Sequence, residues 1–304
     1  MLSAYHVPVL LKESVDGLAV KPDGVYVDVT FGGGGHSREI LTRLGSRGRL
    51  IAFDQDGDAE QNGAAMDDRR LTLVRGNFRF LRSYLRCHMA EEVDGIIGDL
   101  GVSWRQLDAG ERGFSFRFDA PLDMRMNRQG GRTAATLLDV CSVQELSRIF
   151  AEYGELNNAH KAARLVDAAR QKSRIATTGE LVEALRPALP PFDEHKYLAR
   201  VFQALRIEVN HEMQALEQML EQAAKVVKKG GRLSVITYHS LEDRMVKNFI
   251  RSGSASGNAE KDVFGSVHAP FEAVNKKVAL PGEEEVRQNP RARSAKLRIA
   301  QKVA

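Results

Sequence analysis

An α/β fold, a doubly wound parallel sheet with a helical block inserted into it, is what this 304-residue chain predicts. Three features point to it. Strand and helix signals alternate through the first third. Four consecutive glycines, Gly32–Gly35, follow the first strand and lead into a helix. After Gly101 strand signals stop, and they resume only near Arg232.

Val25, Val27 and Val29 alternate as in a half-buried strand, so Val25–Thr30 is read as the first strand. The glycines allow a tight turn and close approach of backbone to a ligand, with a helix from about Ser37. Arg49–Asp54, Leu71–Arg75 and Val93–Asp99 are the next strands, and the helical stretches between them make the sheet parallel with right-handed crossovers. From Ser103 to about Lys196 the pattern is helical. A loop rich in arginine, phenylalanine and glycine, Gly110–Gly131, leads to helices at Val143–Tyr153, Ala159–Gln171 and Thr178–Leu189, the last stopped by Pro187, Pro190 and Pro191. Leu198, Val201, Phe202, Leu205, Val209, Met213, Leu216 and Leu220 recur at helical spacing and predict one long helix, Tyr197–Lys228. Lys229-Gly230-Gly231 ends it. Arg232–Tyr238 is a β-branched strand, Ser252–Asn258 a flexible loop, and Ala295–Val303 the final strand. The expected organisation is a main domain of residues 1–102 and 197–304 with an inserted helical subdomain at 103–196.

Hydrophobic residues make up 43% and charged residues 28% of the chain, ordinary for a soluble enzyme. A net charge of +4 permits a polyanionic partner without demanding one. The two cysteines form no CxxC pattern and the eight histidines show no ligand spacing, so neither a disulfide framework nor a metal site is expected. Lys12 and Glu13 break the apolar run near the N-terminus, which argues against a signal peptide or a membrane span and makes the cytoplasm the expected compartment.

The chemistry sits at strand ends. Asp28 places a carboxylate just before the glycines. It would repel a pyrophosphate, yet it can bind the ammonium of an amino-acid-bearing nucleoside such as S-adenosylmethionine. Asp54, ending the second strand, can accept both ribose hydroxyl protons. Phe78, after Gly76-Asn77, would lie beside an adenine ring or pack in the core. Asp99, ending the fourth strand, is placed for the reacting centre: methyl transfer to an exocyclic amine needs an aligned lone pair and acceptors for its N–H groups.

Basic residues suggest a polyanion surface. In the loop, Arg128 and Arg132 are the better phosphate candidates. The phenylalanines suit either base stacking or the core, and Arg117 and Arg125 suit pairing with Asp119 and Asp123. Arg200, Gln203, Arg206 and Asn210 share one helix face, from which Lys and Glu are absent. The last nineteen residues carry six positive charges, including Arg291 and Arg293, and no acid. They fit an RNA backbone or a surface strand guarded by charge.

Seven motifs carry a resemblance over nearly the whole chain: Tyr5-His6-Val7-Pro8-Val9-Leu10-Leu11, Thr30–Ser37, Asp99-Leu100-Gly101-Val102-Ser103, Glu111–Phe116, Pro121–Met126, Phe202–Ile207 and His239-Ser240-Leu241-Glu242-Asp243-Arg244. Pro281–Glu285 and Asn289–Ser294 extend it. The chain resembles the RsmH (MraW) methyltransferases. The resemblance implies a Rossmann-like class I S-adenosylmethionine-dependent methyltransferase that methylates the exocyclic N4 amine of one cytidine in the decoding centre of 16S ribosomal RNA. It implies Gly34, Gly35, His36, Asp54, Phe78, Asp99 and Gln106 as cofactor residues, and Asp99 also as catalytic. RNA contacts are then expected from Arg128, Arg132, Arg200, Arg206, Arg291 and Arg293, with the insertion recognising RNA, no metal, no membrane, and a homodimer allowed. The chain departs from the family's usual small segment after Gly-Val by Ser103-Trp104-Arg105. A DNA amine methyltransferase would show an Asp/Asn/Ser-Pro-Pro-Tyr/Trp pattern where this chain has Asp99-Leu100-Gly101-Val102. Asp28 and the lack of a hydride-relay set argue against an NAD oxidoreductase.

Overall fold

The computed structural model describes residues 8–258 and 268–303, without the side chains of 104 and 105. Tyr5-His6-Val7 and the Trp104 indole therefore lie outside the described residues. The chain divides into two compact units, Met1–Gly101 with Met213–Ala304, and Val102–Glu212.

In the first unit α1 (Leu11–Gly17) precedes β1 (Val25–Asp28). Then α2 (Gly35–Arg43), β2 (Arg49–Asp54), α3 (Asp58–Ala64), β3 (Leu71–Arg75), α4 (Leu81–Cys87) and β4 (Val93–Asp99) alternate. The second unit holds α5 (Trp104–Asp108), α6 (Ala134–Val140), α7 (Val143–Glu152), α8 (Ala159–Arg170), α9 (Thr178–Leu185) and α10 (Glu194–Asn210). The chain returns through α11 (Glu212–Val226), β5 (Val227–Thr237), α12 (Ser240–Ser252), β6 (Phe271–Ala273), α13 (Glu283–Gln288) and β7 (Lys296–Lys302).

The seven strands lie in the order β3-β2-β1-β4-β5-β7-β6. The first five are parallel, and β7 runs antiparallel to both β5 and β6. This is the doubly wound class I sheet the resemblance implied. Val27, Ile51, Phe53, Ile96 and Val235 are fully buried, as helices on both faces of a parallel sheet require. Chain order reverses between β1 and β4, and in such sheets the ligand crevice lies beyond the carboxyl ends of the strands at that switch point. Asp28, Asp54 and Asp99 all stand at such ends.

Four sequence expectations change. First, α2 begins at Gly35, two residues before Ser37, because Gly34 takes the left-handed conformation (φ 74°) as its N-cap. The predicted helix Tyr197–Lys228 is two helices, since His211 is left-handed (φ 52°) between α10 and α11. Tyr197, Leu198, Val201, Phe202 and Leu205 of α10 belong to the core of the second unit, so the boundary falls after Glu212 rather than before Tyr197. Next, β5 starts at Val227: register shifts between Val93 and Gly95, and Gly230 (φ 81°) lies within the irregular stretch of β5. The short edge strand β6, anchored by buried Phe271, carried no sequence signal of its own.

The second unit is built from capped helices. Ser142 with Glu145 and Thr177 with Glu180 form capping boxes at α7 and α9. Phe114, Leu122, Met124, Leu138, Phe150 and Leu181 fill its core.

Candidate active site

The glycine loop is held by two aspartates. Asp28 is 1% exposed. Its Oδ1 accepts the Thr30 N–H at 3.0 Å and its Oδ2 the Ser37 hydroxyl at 2.7 Å. Burial raises its pKa against the pull of His36 and these donors. The ammonium reading of Asp28 is therefore corrected: the carboxylate ties the end of β1 to the first turn of α2, and burial among loop donors leaves it no opening to a ligand. Asp54 braces the loop from the other side. Its Oδ2 accepts the Gly32 N–H at 2.7 Å and its Oδ1 the Asp56 N–H at 2.8 Å. Asn62 Nδ2 donates to the Gly32 carbonyl at 2.9 Å. A carboxylate has roughly four lone-pair sites, so Asp54, which is only half-buried, retains acceptor capacity. Burial pushes its pKa up to about 6, opposed by the Asp56 and Gly32 amides.

Gly34 carries a further constraint. A Cβ there would fall 2.1 Å from Met66 Cε, at a φ that disfavours side chains. His36 is buried in the first turn of α2, its Nε2 3.2 Å from the Val9 carbonyl and its Nδ1 3.9 Å from Asp99 Oδ2. Phe78 opens a short 3₁₀ turn capped by Asn77 and is half-buried against the core, so it offers both the ring edge and the packing role.

Asp99 is fixed at two points. Its N–H donates to Thr30 Oγ1 at 2.6 Å, and its Oδ1 accepts the Tyr238 hydroxyl at 2.8 Å. The side chain is 24% exposed. Burial pushes it up to about 6, with His36 and the Tyr238 hydroxyl opposing and Asp28 and Glu242 adding to the rise. Tyr238, itself raised well above the ordinary phenol range by burial and by Asp99, is a residue the sequence reading missed. Its signal was its place directly before the His239–Arg244 motif.

These groups suit a cationic nucleoside. Acceptor-only carboxylates stand at the strand ends, a Cβ on Gly32 would meet only the Thr30 carbonyl, at 3.9 Å, among the described residues, and the loop from Thr30 to Ser37 carries no lysine or arginine for a polyphosphate.

In the second unit, Ser103 and Gln106 form a local cap at α5. The Ser103 N–H donates to Gln106 Oε1 at 3.0 Å, and the Gln106 N–H to Ser103 Oγ at 3.3 Å. The Ser-x-x-Gln spacing is the readable signal for it.

The arginine-rich loop is largely self-satisfied. Arg112 is buried and donates to the carbonyls of Arg125 and Met126, and Arg125 pairs with Asp123 at 2.8 Å. Asp119 instead accepts the Gly179 N–H. Phe114 is core, Phe116 packs edge-on to Phe202, and Phe118 is exposed. Arg128 and Arg132 are exposed and form no ion pair among the described residues. The α10 face is mostly spent internally. Gln203 donates to the Tyr153 carbonyl, and Asn210 bonds both Met126 N–H (2.7 Å) and the Met124 carbonyl (2.8 Å). Arg206 forms a bidentate pair with Glu212 at 2.7 and 2.8 Å and is 15% exposed, which removes it from the phosphate candidates; Arg200 remains exposed.

In the tail, Lys296 and Arg298 both reach Asp243, Arg287 reaches Glu284, and Arg291 is half-buried. Arg293 is exposed. Much of the basic run is therefore neutralised within the first unit.

Residues 3–303 match the MraW methylase family. The chain is 57% identical over 298 residues to "Ribosomal RNA small subunit methyltransferase H" of Bacteroides thetaiotaomicron, covering 98% of this chain and 97% of that protein. The Parabacteroides distasonis protein of the same name is 55% identical over 302 residues, covering 99% and 98%. That of Flavobacterium johnsoniae is 53% identical over 299 residues, covering 98% of each.

Proposed function

The chain belongs to the MraW methylase family, and we propose that it methylates the exocyclic N4 amine of a cytidine in the decoding centre of 16S ribosomal RNA. At the coarser level it is an S-adenosylmethionine-dependent methyltransferase of small-subunit ribosomal RNA, as its 53–57% identical relatives are named for that RNA. The amine target rests on one observation. Asp99 ends β4 at the switch point with Oδ1 bound to Tyr238 and Oδ2 without a hydrogen bond among the described residues, 3.9 Å from His36. An acceptor in that position suits an N–H that gains positive charge as a methyl group arrives.

S-adenosylmethionine supplies an electrophilic methyl group when bound. In the proposed site Asp54 accepts from the ribose hydroxyls, Phe78 flanks the adenine, and Gly34, Gly35 and His36 form the loop edge. Gln106 is proposed as a further cofactor contact on the family resemblance. Asp99 accepts from the amine and so orients its lone pair. Arg128, Arg132, Arg200, Arg291 and Arg293 are the proposed RNA contacts, and residues 102–212 the recognition unit. No helix among the described residues is long and apolar enough to cross a membrane; we place the reaction in the cytoplasm and leave the homodimer to direct measurement of mass in solution.

The test is incubation of the pure protein with methyl-labelled cofactor and small subunits lacking the modification, followed by mass spectrometry of the nucleosides. Label on the N4 amine of a single cytidine is expected. Label on a ring carbon, or none while cofactor still binds, rejects the proposal.

A further inference from the structure

Tyr238, directly after β5, and the motif that leads into α12 stand beside the proposed reacting centre. Their geometry supplies a role there. β5 runs beside β4 with Ile236 opposite Asp99, and the Leu100 N–H donates to the Ile236 carbonyl at 3.0 Å. Two residues beyond Ile236, the Tyr238 ring passes Gly101, where a Cβ would lie 3.6 Å from Tyr238 Cδ2 and φ is +97°. The hydroxyl then donates to Asp99 Oδ1 at 2.8 Å. The tyrosine is itself clamped. Buried Glu242 accepts the Tyr238 N–H at 2.9 Å and the His239 N–H at 3.3 Å through the same Oε2.

We propose that Tyr238 is a positioning residue that holds the Asp99 carboxylate in one orientation and leaves Oδ2 as the oxygen that accepts from the amine. The proposal rests on the reading of Asp99 as the amine acceptor. A hydroxyl donor stabilises the ionised carboxylate more than the neutral acid, so the same bond works against burial. Four groups act on this pair from the surrounding elements. His36 of α2 favours ionised Asp99, while Asp28 of β1 and Glu242 of α12 oppose it. Glu285 of α13 acts on Tyr238.

Tyr238→Phe keeps the ring against Gly101 and removes only the donor. Single-turnover methylation across pH is the readout, with the ¹³C carboxyl titration of Asp99 in the protein alone. The acid limb of the rate and the Asp99 titration should both move up by about one pH unit, since a hydrogen bond to a charged group contributes about 1.5 kcal/mol. The rate at neutral pH should fall several-fold, with cofactor KM unchanged. 3-Fluorotyrosine at position 238, a stronger donor of the same shape, should move both the other way. If neither substitution moves the limb or the titration, Tyr238 has no such role. Asp99→Asn in parallel separates the two ideas. Its keeping full rate and an acid limb would reject the Asp99 reading. Its losing the rate, while Tyr238→Phe behaves as wild type, would reject only the Tyr238 proposal.

Discussion

Asp99 in the first unit and Asp123 in the second have side chains similarly exposed, 24% and 19%. Burial pushes Asp99 up to about 6. Burial works the same way on Asp123, but the Arg125 guanidinium and amide overcome it and hold that carboxyl below its ordinary range. The contrast extends to neighbours. Asp54 rises to about 6, whereas Asp243, bonded by Arg298 and Lys296, is lowered. Asp54 and Asp99, at their strand ends, are desolvated and have no lysine or arginine partner among the described residues. In the loop, and in α12 where Asp243 faces the cations of the tail, they are matched. A desolvated, unmatched carboxylate is what a cationic ligand or an amine donor can use, and a matched one is structural. The same accounting divides the arginines: Arg125 and Arg206 are bound to acids, while Arg128 and Arg132 are exposed without an ion-pair partner among the described residues.

The sharpest way to break this division is Asp99→Ala, which should lower single-turnover rate about a thousandfold, the scale of losing one well-placed polar partner of the transition state. Wild-type rate should fall as pH drops through about 6, because Asp99 then takes up a proton and stops accepting. An unchanged rate in the variant removes Asp99 from the chemistry. Asp54→Ala should weaken S-adenosylhomocysteine binding about a hundredfold by calorimetry, for two hydrogen bonds to a charged group; affinity within a few-fold of wild type would make Asp54 only a brace for Gly32. On the other side of the comparison, Asn210→Ala should cost about 2 kcal/mol in urea unfolding, by releasing Met124 and Met126. Stability equal to wild type would show that the loop does not need that tie. The smallest effects concern RNA. Arg128→Ala and Arg132→Ala should each reduce the slope of log affinity against log salt by about one, evenly across RNA sequences. Arg206→Met should leave that slope alone, and a slope change there would mean that Glu212 does not retain Arg206.

Much of the first unit was legible in the chain. Arg49–Asp54, Leu71–Arg75 and Val93–Asp99 match their strands end for end, because continuous apolar runs bounded by polar turns have few other uses in a parallel sheet. Asp54, Phe78 and Asp99 were singled out from their position at or just beyond strand ends, where the structure places them. What pattern could not reveal depended on single residues. His211 breaks a hydrophobic periodicity that runs through it unaltered, and β6 is too short to carry a period. Asp28 was read as a ligand because its position suits one, while its actual partners, Thr30 and Ser37, are ordinary loop residues.

The sequence by itself determined the sheet, the glycine loop after its first strand, the acids at its strand ends and the family to which the chain belongs. These depend on periodicity and local backbone freedom, which are properties of neighbours along the chain. Only the tertiary structure decided which charges are spent. Tyr238 lies 139 residues from Asp99, and Asp243 lies 55 from Arg298. Whether a carboxylate is matched or left desolvated is settled by partners brought across the sheet, and no local pattern records them.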